Sequence, residues 1–410
     1  LERPDDGFSL YVHVPFCTDK CVYCDFYSVP CHTVADAIQE TVVVETVRQA
    51  RAALDAAPDG ARVETIFIGG GTPSCLSPPL QEKLLTSFAG LGAREWTVEA
   101  NPETLDEGFL SRCRDAGVNR LSVGIQTLHQ DQLDLLRRRA TREDCLRAIE
   151  LLQSKWTGRL SLDFIAGIPG QTPENVREDL SVIERDWPSH VSLYQLTLEP
   201  GTPMDGLVEE GTLRLNRPET DEALWFEGME VLLRRGYAHY EVSNFCRPGH
   251  ECLHNIRYWN IEPYAGAGPA AVSTLPGAWA GRLLGRDDLS HHDVVRLSNP
   301  RSITTFLKRS ASGWGATVER IESEDFFVET LMMGLRLSRG LSSSGLRARF
   351  GARIDEIIPG VWERWVSQGR AHPPSDRLRL TDDGLLLLDL LIGEVIDACA
   401  PWRGAQVVWP

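Results

Sequence analysis

The sequence predicts an α/β fold: an open barrel of parallel strands followed by a smaller, helical, winged-helix-like domain. Three observations predict it. Short apolar runs alternate with helical patterns over the first two thirds of the chain, polar or glycine-rich residues follow nearly every apolar run, and composition shifts after about residue 275.

The strand candidates are Leu10–Val14, Glu64–Ile68, Trp96–Glu99, Arg120–Val123, Leu160–Phe164 and Val191–Leu196. Between them the apolar spacing predicts helices over Val34–Leu54, Pro79–Leu91, Leu105–Ala116, Gln130–Arg138, Arg142–Gln153 and Pro173–Arg185. Repeated strand–helix alternation implies a parallel sheet with right-handed crossovers, either doubly wound or an open barrel. The strand ends favour the barrel. Gly69-Gly70-Gly71-Thr72, Glu99-Ala100-Asn101-Pro102, Gly124-Ile125-Gln126 and Asp163 all follow or close a strand. Ligands bind at the carboxyl ends of such strands, so these residues would line one mouth.

Beyond the barrel, Gly281–Pro300 is rich in Gly, Arg, Asp, Ser and His and reads as a connector. The division expected is a barrel with a late motif over 1–280, a connector over 281–320 and a helical domain over 321–410. In the last, helices are expected over Phe326–Leu337, Ser344–Phe350 and Ile357–Gln368, and a fourth from Asp382 capped by Thr381. A short polar hairpin around Pro373–Leu380 sits between the last two.

Charge excludes some function classes. In 410 residues, 42 Lys and Arg face 58 Asp and Glu, a net charge of −16. Such a chain repels phosphate backbones, and Arg137-Arg138-Arg139 is too short to be a nucleic-acid-binding arm. The most apolar run, Leu385 to Ile396, is broken by Asp389 and Glu394 and reads as an amphipathic helix, not a membrane span. Leu1-Glu2-Arg3-Pro4-Asp5-Asp6 has no apolar signal core, so a cytoplasmic protein is expected. In that setting ten cysteines read as thiols or metal ligands before disulfides.

Three of them stand together. Cys17, Cys21 and Cys24 have the spacing C-x3-C-x2-C directly after the first strand. Chance would place such a triplet in this chain about 0.006 times, so a metal site is favoured. The thiolates could hold zinc with a fourth ligand from elsewhere. They could equally hold three irons of a [4Fe–4S] cluster, leaving one iron open to chelate the amino and carboxylate groups of a methionine. Tyr23 and Phe16 would shield such a cluster from water.

The triplet followed by a Gly-Gly-Gly-Thr-Pro turn resembles the radical S-adenosylmethionine (SAM) superfamily. The resemblance implies a partial (β/α)6 barrel, a [4Fe–4S] cluster and SAM bound at the open iron. It narrows to the branch holding the coproporphyrinogen dehydrogenases (HemN) and the haem chaperones (HemW), with the closer likeness on the HemW side. The stretches 9–30, Ile66–Ser74, Glu99–Pro102, Val123–Thr127, Asp163–Thr172, Tyr194–Thr202 and Tyr240–Gly268 carry it, with Leu331–Leu341 and Leu380–Leu391 near the end.

That resemblance implies roles. Cys17, Cys21 and Cys24 match the cluster ligands, and Tyr11 matches the tyrosine facing SAM. Gly69, Gly70, Gly71 and Thr72 match the turn that meets the methionine amino group. Tyr23, Glu99, Gln126, Arg138, Asp163 and Val272 fall at further SAM-contacting or cofactor positions. The late motif His254-Asn255-Ile256-Arg257-Tyr258-Trp259 is similar to that of the haem chaperones, and His254 is the candidate haem contact.

One position separates the two activities. The dehydrogenases carry a fourth cysteine two residues after the third, and here Phe26 stands there. The resemblance therefore implies a haem chaperone that binds haem as cargo and passes it to a recipient haemoprotein, with the electron donor open. The alternative is oxidative decarboxylation of coproporphyrinogen III, or other radical chemistry on a small molecule. Two departures stand against the chaperone pattern: Ala140 and Val272 occupy positions where its motifs carry histidine.

Overall fold

The computed structural model describes residues 7–184, 187–311, 313–399 and 407–409. The N-terminal segment read above for a signal core, and the Arg185 end of the predicted sixth helix, lie outside them.

Six parallel strands carry the barrel: β1 (Gly7–Val14), β2 (Arg62–Gly70), β3 (Glu95–Ala100), β4 (Arg120–Gln126), β5 (Arg159–Ala166) and β6 (His190–Gln195). They pair in sequence order without reversal, which is the order of a barrel and not of a doubly wound sheet. The crossover helices are α1 (Asp36–Asp55), α2 (Pro78–Thr86), α3 (Glu107–Ala116), α4 (Gln130–Leu135), α5 (Arg142–Lys155) and α6 (Pro173–Asp179). Local chemistry sets their ends. Asp106 accepts from the N–H of Phe109, and Thr141 and Thr172 each form a capping box, with Asp144 and Asn175. Helix α3 stops at Gly117, whose φ of 101° suits glycine.

The sheet is larger than the six units. Strands β7 (Ala238–Glu241) and β8 (Asn244–Cys246) extend it antiparallel beyond β6. At the other side β9 (Tyr264–Ala267) pairs parallel with β1, and β10 (Val272–Pro276), β11 (Val294–Ser298) and β12 (Thr317–Ile321) continue antiparallel. The result is one mixed twelve-stranded sheet.

This corrects the expected connector over 281–320. That stretch holds the end of a helix (Gly277–Leu284), β11, a further helix (Ile303–Ser310) and β12. The polar composition of residues 281–300 comes from the exposed turn around residues 285–291, which masks the short buried run Val294, Val295 and Leu297 of β11; β12 lies at the sheet edge with exposed or half-buried residues, so no apolar run marks it.

The C-terminal region is helical. The third helix, expected over Ile357–Gln368, starts only at Val361 and runs to Ser367, because Pro359-Gly360 interrupts the chain, Gly360 taking φ 74°; a separate short helix, Ile354–Ile357, precedes it. Thr381 caps Asp382–Leu386 by accepting from the Gly384 N–H, and Leu388–Cys399 follows. The expected hairpin forms, with Ala371 bridging Leu380 and the His372 N–H donating to the Arg379 carbonyl at 2.9 Å, and its second arm, Arg377–Leu378, also pairs with Leu341–Ser342.

Apolar packing falls into separate cores. The main one lies between the sheet and its helices, with Leu10, Ile66, Val98, Leu121, Leu162 and Val191 buried. A second, around Phe326, Phe327, Trp362, Trp365 and Leu391, belongs to the C-terminal helices. A small third core of Val22, Leu136, Ile165, Ile168 and Met204 sits beneath the cysteine loop.

Candidate functional site

The cysteine loop is held at its base and at its tip. Phe16–Cys17 pairs with Val29–Pro30, and the Val29 N–H donates to the Pro15 carbonyl at 2.9 Å. Further along, Val22 donates to the Leu136 carbonyl at 3.2 Å and accepts from the Met204 N–H at 2.9 Å. Burying Val22 in the third core anchors the loop that carries Cys17, Cys21 and Cys24, all three half-buried.

The donor set fits an iron–sulfur cluster. Burial pushes the Cys24 thiol up to about 11 and raises that of Cys17, on which the hydroxyls of Thr72 and Ser28 act in the opposite sense. Such thiols release their protons when a metal takes their place. Arg138 supplies positive charge: its Nη1 lies 3.5 Å from Cys21 Sγ, and its Nη2 donates to Asn101 Oδ1 at 3.0 Å and to the Gly124 carbonyl at 2.8 Å. Burial works against that guanidinium, but the Cys21 thiol and Tyr23 phenol hold its pKa above the ordinary value. Arg138 Nε and Glu103 Oε2 are buried polar atoms without a partner. Among the described residues no three His, Cys, Asp or Glu side chains surround one point as a single ion needs. A cluster asks for something different, one thiolate per iron.

The glycine turn closes the wall beside the loop. Gly71 donates to the Val14 carbonyl at 2.8 Å and Thr72 to the Phe16 carbonyl at 2.6 Å. A Cβ on Gly71 would collide with the Phe16 and Val14 carbonyl oxygens, and one on Gly69 with the Glu99 carboxylate. The backbone approach therefore demands glycine. Gly70, at φ 93°, donates its N–H to Glu99 Oε2 at 2.9 Å. Thr72 Oγ1 accepts from Asn101 Nδ2 at 2.9 Å, so Asn101 links the turn to Arg138.

The carboxylates predicted for the site sit on β3 and β5, toward their carboxyl ends. Burial pushes Glu99 up to about 7, the charge of Asp163 adds to this, and the Gly70 N–H opposes it. Asp163 accepts from Ser122 Oγ at 2.8 Å and Ser161 Oγ at 2.7 Å, yet burial keeps its pKa above the ordinary value. Gln126 takes φ 69° where β4 loses register with β5, and its Nε2 lies against Gly124. Tyr11 bonds His13 Nδ1 at 2.9 Å, and His13 Nε2 meets the Tyr27 carbonyl at 2.8 Å.

Tyr11, Gly70, Glu99, Val272 and His254 line one cavity of about 720 Å³. Tyr23, Thr72, Gln126, Arg138 and Asp163 are not part of that lining; Asn101 links Thr72 with Arg138, the charge of Asp163 acts on Glu99, and Tyr23 sits beside Cys21 and Arg138. His254 lies on a helix, Leu253–Trp259, with Nδ1 2.8 Å from Thr65 Oγ1 and its ring centroid 5.0 Å from that of Phe67. Burial pulls it down to about 3, so it is neutral at physiological pH. Much of the rest is apolar: Phe26, Phe67, Tyr194 and Tyr258 share the lining with Leu385 and Leu386 from the C-terminal helices. Those helices thus wall the mouth.

Two lining cations carry no signal in the sequence. Arg301 donates to the Asp25 carbonyl at 2.8 Å, and Arg336 lies 3.6 Å from the exposed Asp389 and over the Trp259 ring. Arg301 belongs to the supposed connector, which also clamps the cysteine loop through Ile303 N–H to Tyr27 Oη at 2.9 Å. No local pattern marks either arginine.

Comparison with known proteins shows the family. Residues 11–183 match the radical SAM superfamily model, and 321–387 match the HemN C-terminal domain. The heme chaperone HemW of Lactococcus lactis is 31% identical over 94% of this chain and 96% of its own length. That of Escherichia coli is 32% identical, over 94% and 97%. The chain belongs to the radical SAM superfamily, on its HemW-like side. In this family the cysteine loop implies a [4Fe–4S] cluster with SAM. Another relative, the bovine mitochondrial radical S-adenosyl methionine domain-containing protein 1, is 34% identical over 93% of this chain and 82% of its own. Coproporphyrinogen III oxidase (HemN) from Escherichia coli shares the fold, with a TM-score of 0.75 at 20% identity over 96% of this chain and 91% of that one. Among the described residues no helix is long and apolar enough to cross a membrane.

Proposed function

We propose that this HemW-like chain is a haem chaperone: it holds haem in the cavity at the barrel mouth, above the cluster and SAM, and passes it to a recipient haemoprotein. The single observation that carries the reading is the cavity's make-up. Its walls are largely aromatic and aliphatic, Arg301 and Arg336 line it together with Asp25, Glu99, Glu241 and Asp389, and His13 and His254 both stand in it neutral. At about 720 Å³ it is of ordinary size for a cofactor site.

Each part has a role in that reading. Thr65 engages Nδ1 of His254, which leaves Nε2 to ligate iron. Phe67 and Tyr258 offer ring faces to a macrocycle. Arg301 and Arg336 can exchange exposed carboxylates, Asp25 and Asp389, for the propionates of haem. Beside the cavity Cys17, Cys21 and Cys24 would hold the cluster, with Arg138 next to Cys21. Glu99 and the Gly70 turn would hold the cationic methionine end of SAM. When bound, the pair would supply one-electron reductive chemistry on SAM, with the electron coming from an external donor. This chain's residues bind, orient and exclude water. In this reading the protein acts in the cytoplasm.

A second reading is favoured by Val272, which lines the cavity where the chaperone pattern has histidine. It makes the chain a dehydrogenase of coproporphyrinogen III. Phe26, exposed at the rim in place of a fourth cysteine, argues for the chaperone. The test is anaerobic incubation of reconstituted protein with reductant, SAM and coproporphyrinogen III, read by mass spectrometry. The chaperone reading expects no loss of carboxyl groups; a product lacking two of them overturns it.

A further inference from the structure

A second cleft, of about 850 Å³, opens at the amino ends of the strands, away from the cysteine loop. Arg94 directly precedes β3 there and Arg159 begins β5, while Arg257, Arg339, Arg349 and Arg377 complete the lining. Six guanidiniums thus meet two carboxylates, Glu251 and Glu262, in a chain of net charge −16.

The pairing is incomplete. Among the described residues, Arg159 alone of the six has a carboxylate within 4 Å, Glu95 Oε2 at 3.5 Å. Arg257 is buried on neutral oxygens, donating to Ser9 Oγ at 3.2 Å and to the Gly7 carbonyl at 2.5 Å. Arg349 donates to the Asn260 carbonyl at 3.2 Å, and Arg377 to the carbonyls of Arg339 and Gly340. Burial and the neighbouring charges of Arg339 and Arg379 press the Arg377 guanidinium below its ordinary value. Gathering like charges in a cleft is costly unless an anion is there to meet them. The hydroxyls of Ser342 and Ser344 lie on the same lining and add neutral donors.

We propose that this cleft is an anion site for a compact ligand carrying several phosphate groups. Forked guanidiniums suit the oxygens of phosphate, and a multivalent phosphate offers the charge density that this many cations require. The site is independent of the haem reading, since the cavity at the other end of the barrel shares none of its arginines.

The test is calorimetric titration of the full chain with sodium tripolyphosphate at low salt, against an Arg94→Gln/Arg339→Gln double variant. Both residues are exposed and neither side chain has a partner among the described residues, so the variant should fold; its melting temperature checks this. The expected result is one saturable site in the wild type, weakened roughly tenfold or more in the variant and by added salt. No saturable heat, or equal binding by both proteins, overturns the proposal. Given binding, cosedimentation with phosphatidylglycerol vesicles, lost in the variant, assigns the phosphates to lipid headgroups. Cosedimentation with neither protein assigns them to a free ligand.

Discussion

Glu99→Gln separates the charge of Glu99 from its shape, and the structure sets the size of the effect. In the folded chain burial pushes this carboxyl up to about 7 from an ordinary 4.5. The folded state therefore holds a proton that the unfolded state has lost between those two pH values. By linkage, stability falls as pH rises from about 4.5 to about 7 and changes no further through this group above that. At 1.36 kcal/mol per pH unit, the interval corresponds to about 3 kcal/mol, and partial solvent contact lowers it toward ~1 kcal/mol. Glutamine keeps an oxygen for the Gly70 N–H and cannot ionise. Urea unfolding of both proteins at pH 5 and pH 8 measures the difference. The variant is expected to gain on the wild type by about 1–3 kcal/mol between those pH values. A constant difference, or one that moves the other way, refutes the account of Glu99. In the proposed role, SAM binding by the wild type strengthens as pH rises through 7, and the variant loses that dependence.

Replacing Cys17, Cys21 or Cys24 by serine is expected to abolish iron and sulfide incorporation, whereas Cys31→Ser and Cys75→Ser leave both unchanged; metal and sulfide analysis of anaerobically reconstituted protein decides. Gly71→Ala sets a Cβ against two backbone oxygens that cannot rotate away, those of Phe16 and Val14. It is expected to lower the melting temperature and the yield of cluster together, measured by calorimetry and absorbance. Arg138→Gln removes the cation beside Cys21 and leaves Asn101 and Gly124 short of a donor, a loss of about 1–3 kcal/mol in unfolding free energy. The same variant is expected to shift the potential of the reconstituted cluster to lower values, read by electrochemistry, which a purely structural role would not do.

The parts of the site that are legible in the sequence lie on short, contiguous stretches. The cysteine spacing, the glycine turn and Glu99 each occupy one strand end, so their order along the chain is also their order around the mouth. The same logic marks strands β1 to β6, because buried strands read as apolar runs. It fails where partners come from distant segments. Arg301 and Arg336 gain meaning only when β11, the following helix and the C-terminal helices fold against the mouth. The sequence pattern predicts none of β7 to β12: β7, β8, β10 and β11 are too short for their apolar residues to stand out as runs, and Gly, Ala or exposed polar residues fill β9 and β12, so pairing, not pattern, makes them strands. The arginine cleft is equally silent in sequence: its six members are spread from residue 94 to residue 377.

The central claim, haem carried as cargo at the barrel mouth, is tested most directly by one titration. Haem is added anaerobically to cluster-loaded protein and followed by its Soret absorbance, with His254→Ala alongside. The account predicts saturation at one haem per chain in the wild type, and a weaker, spectrally altered complex in the variant. Identical curves and spectra for the two proteins, or no saturable binding by the wild type, would contradict it.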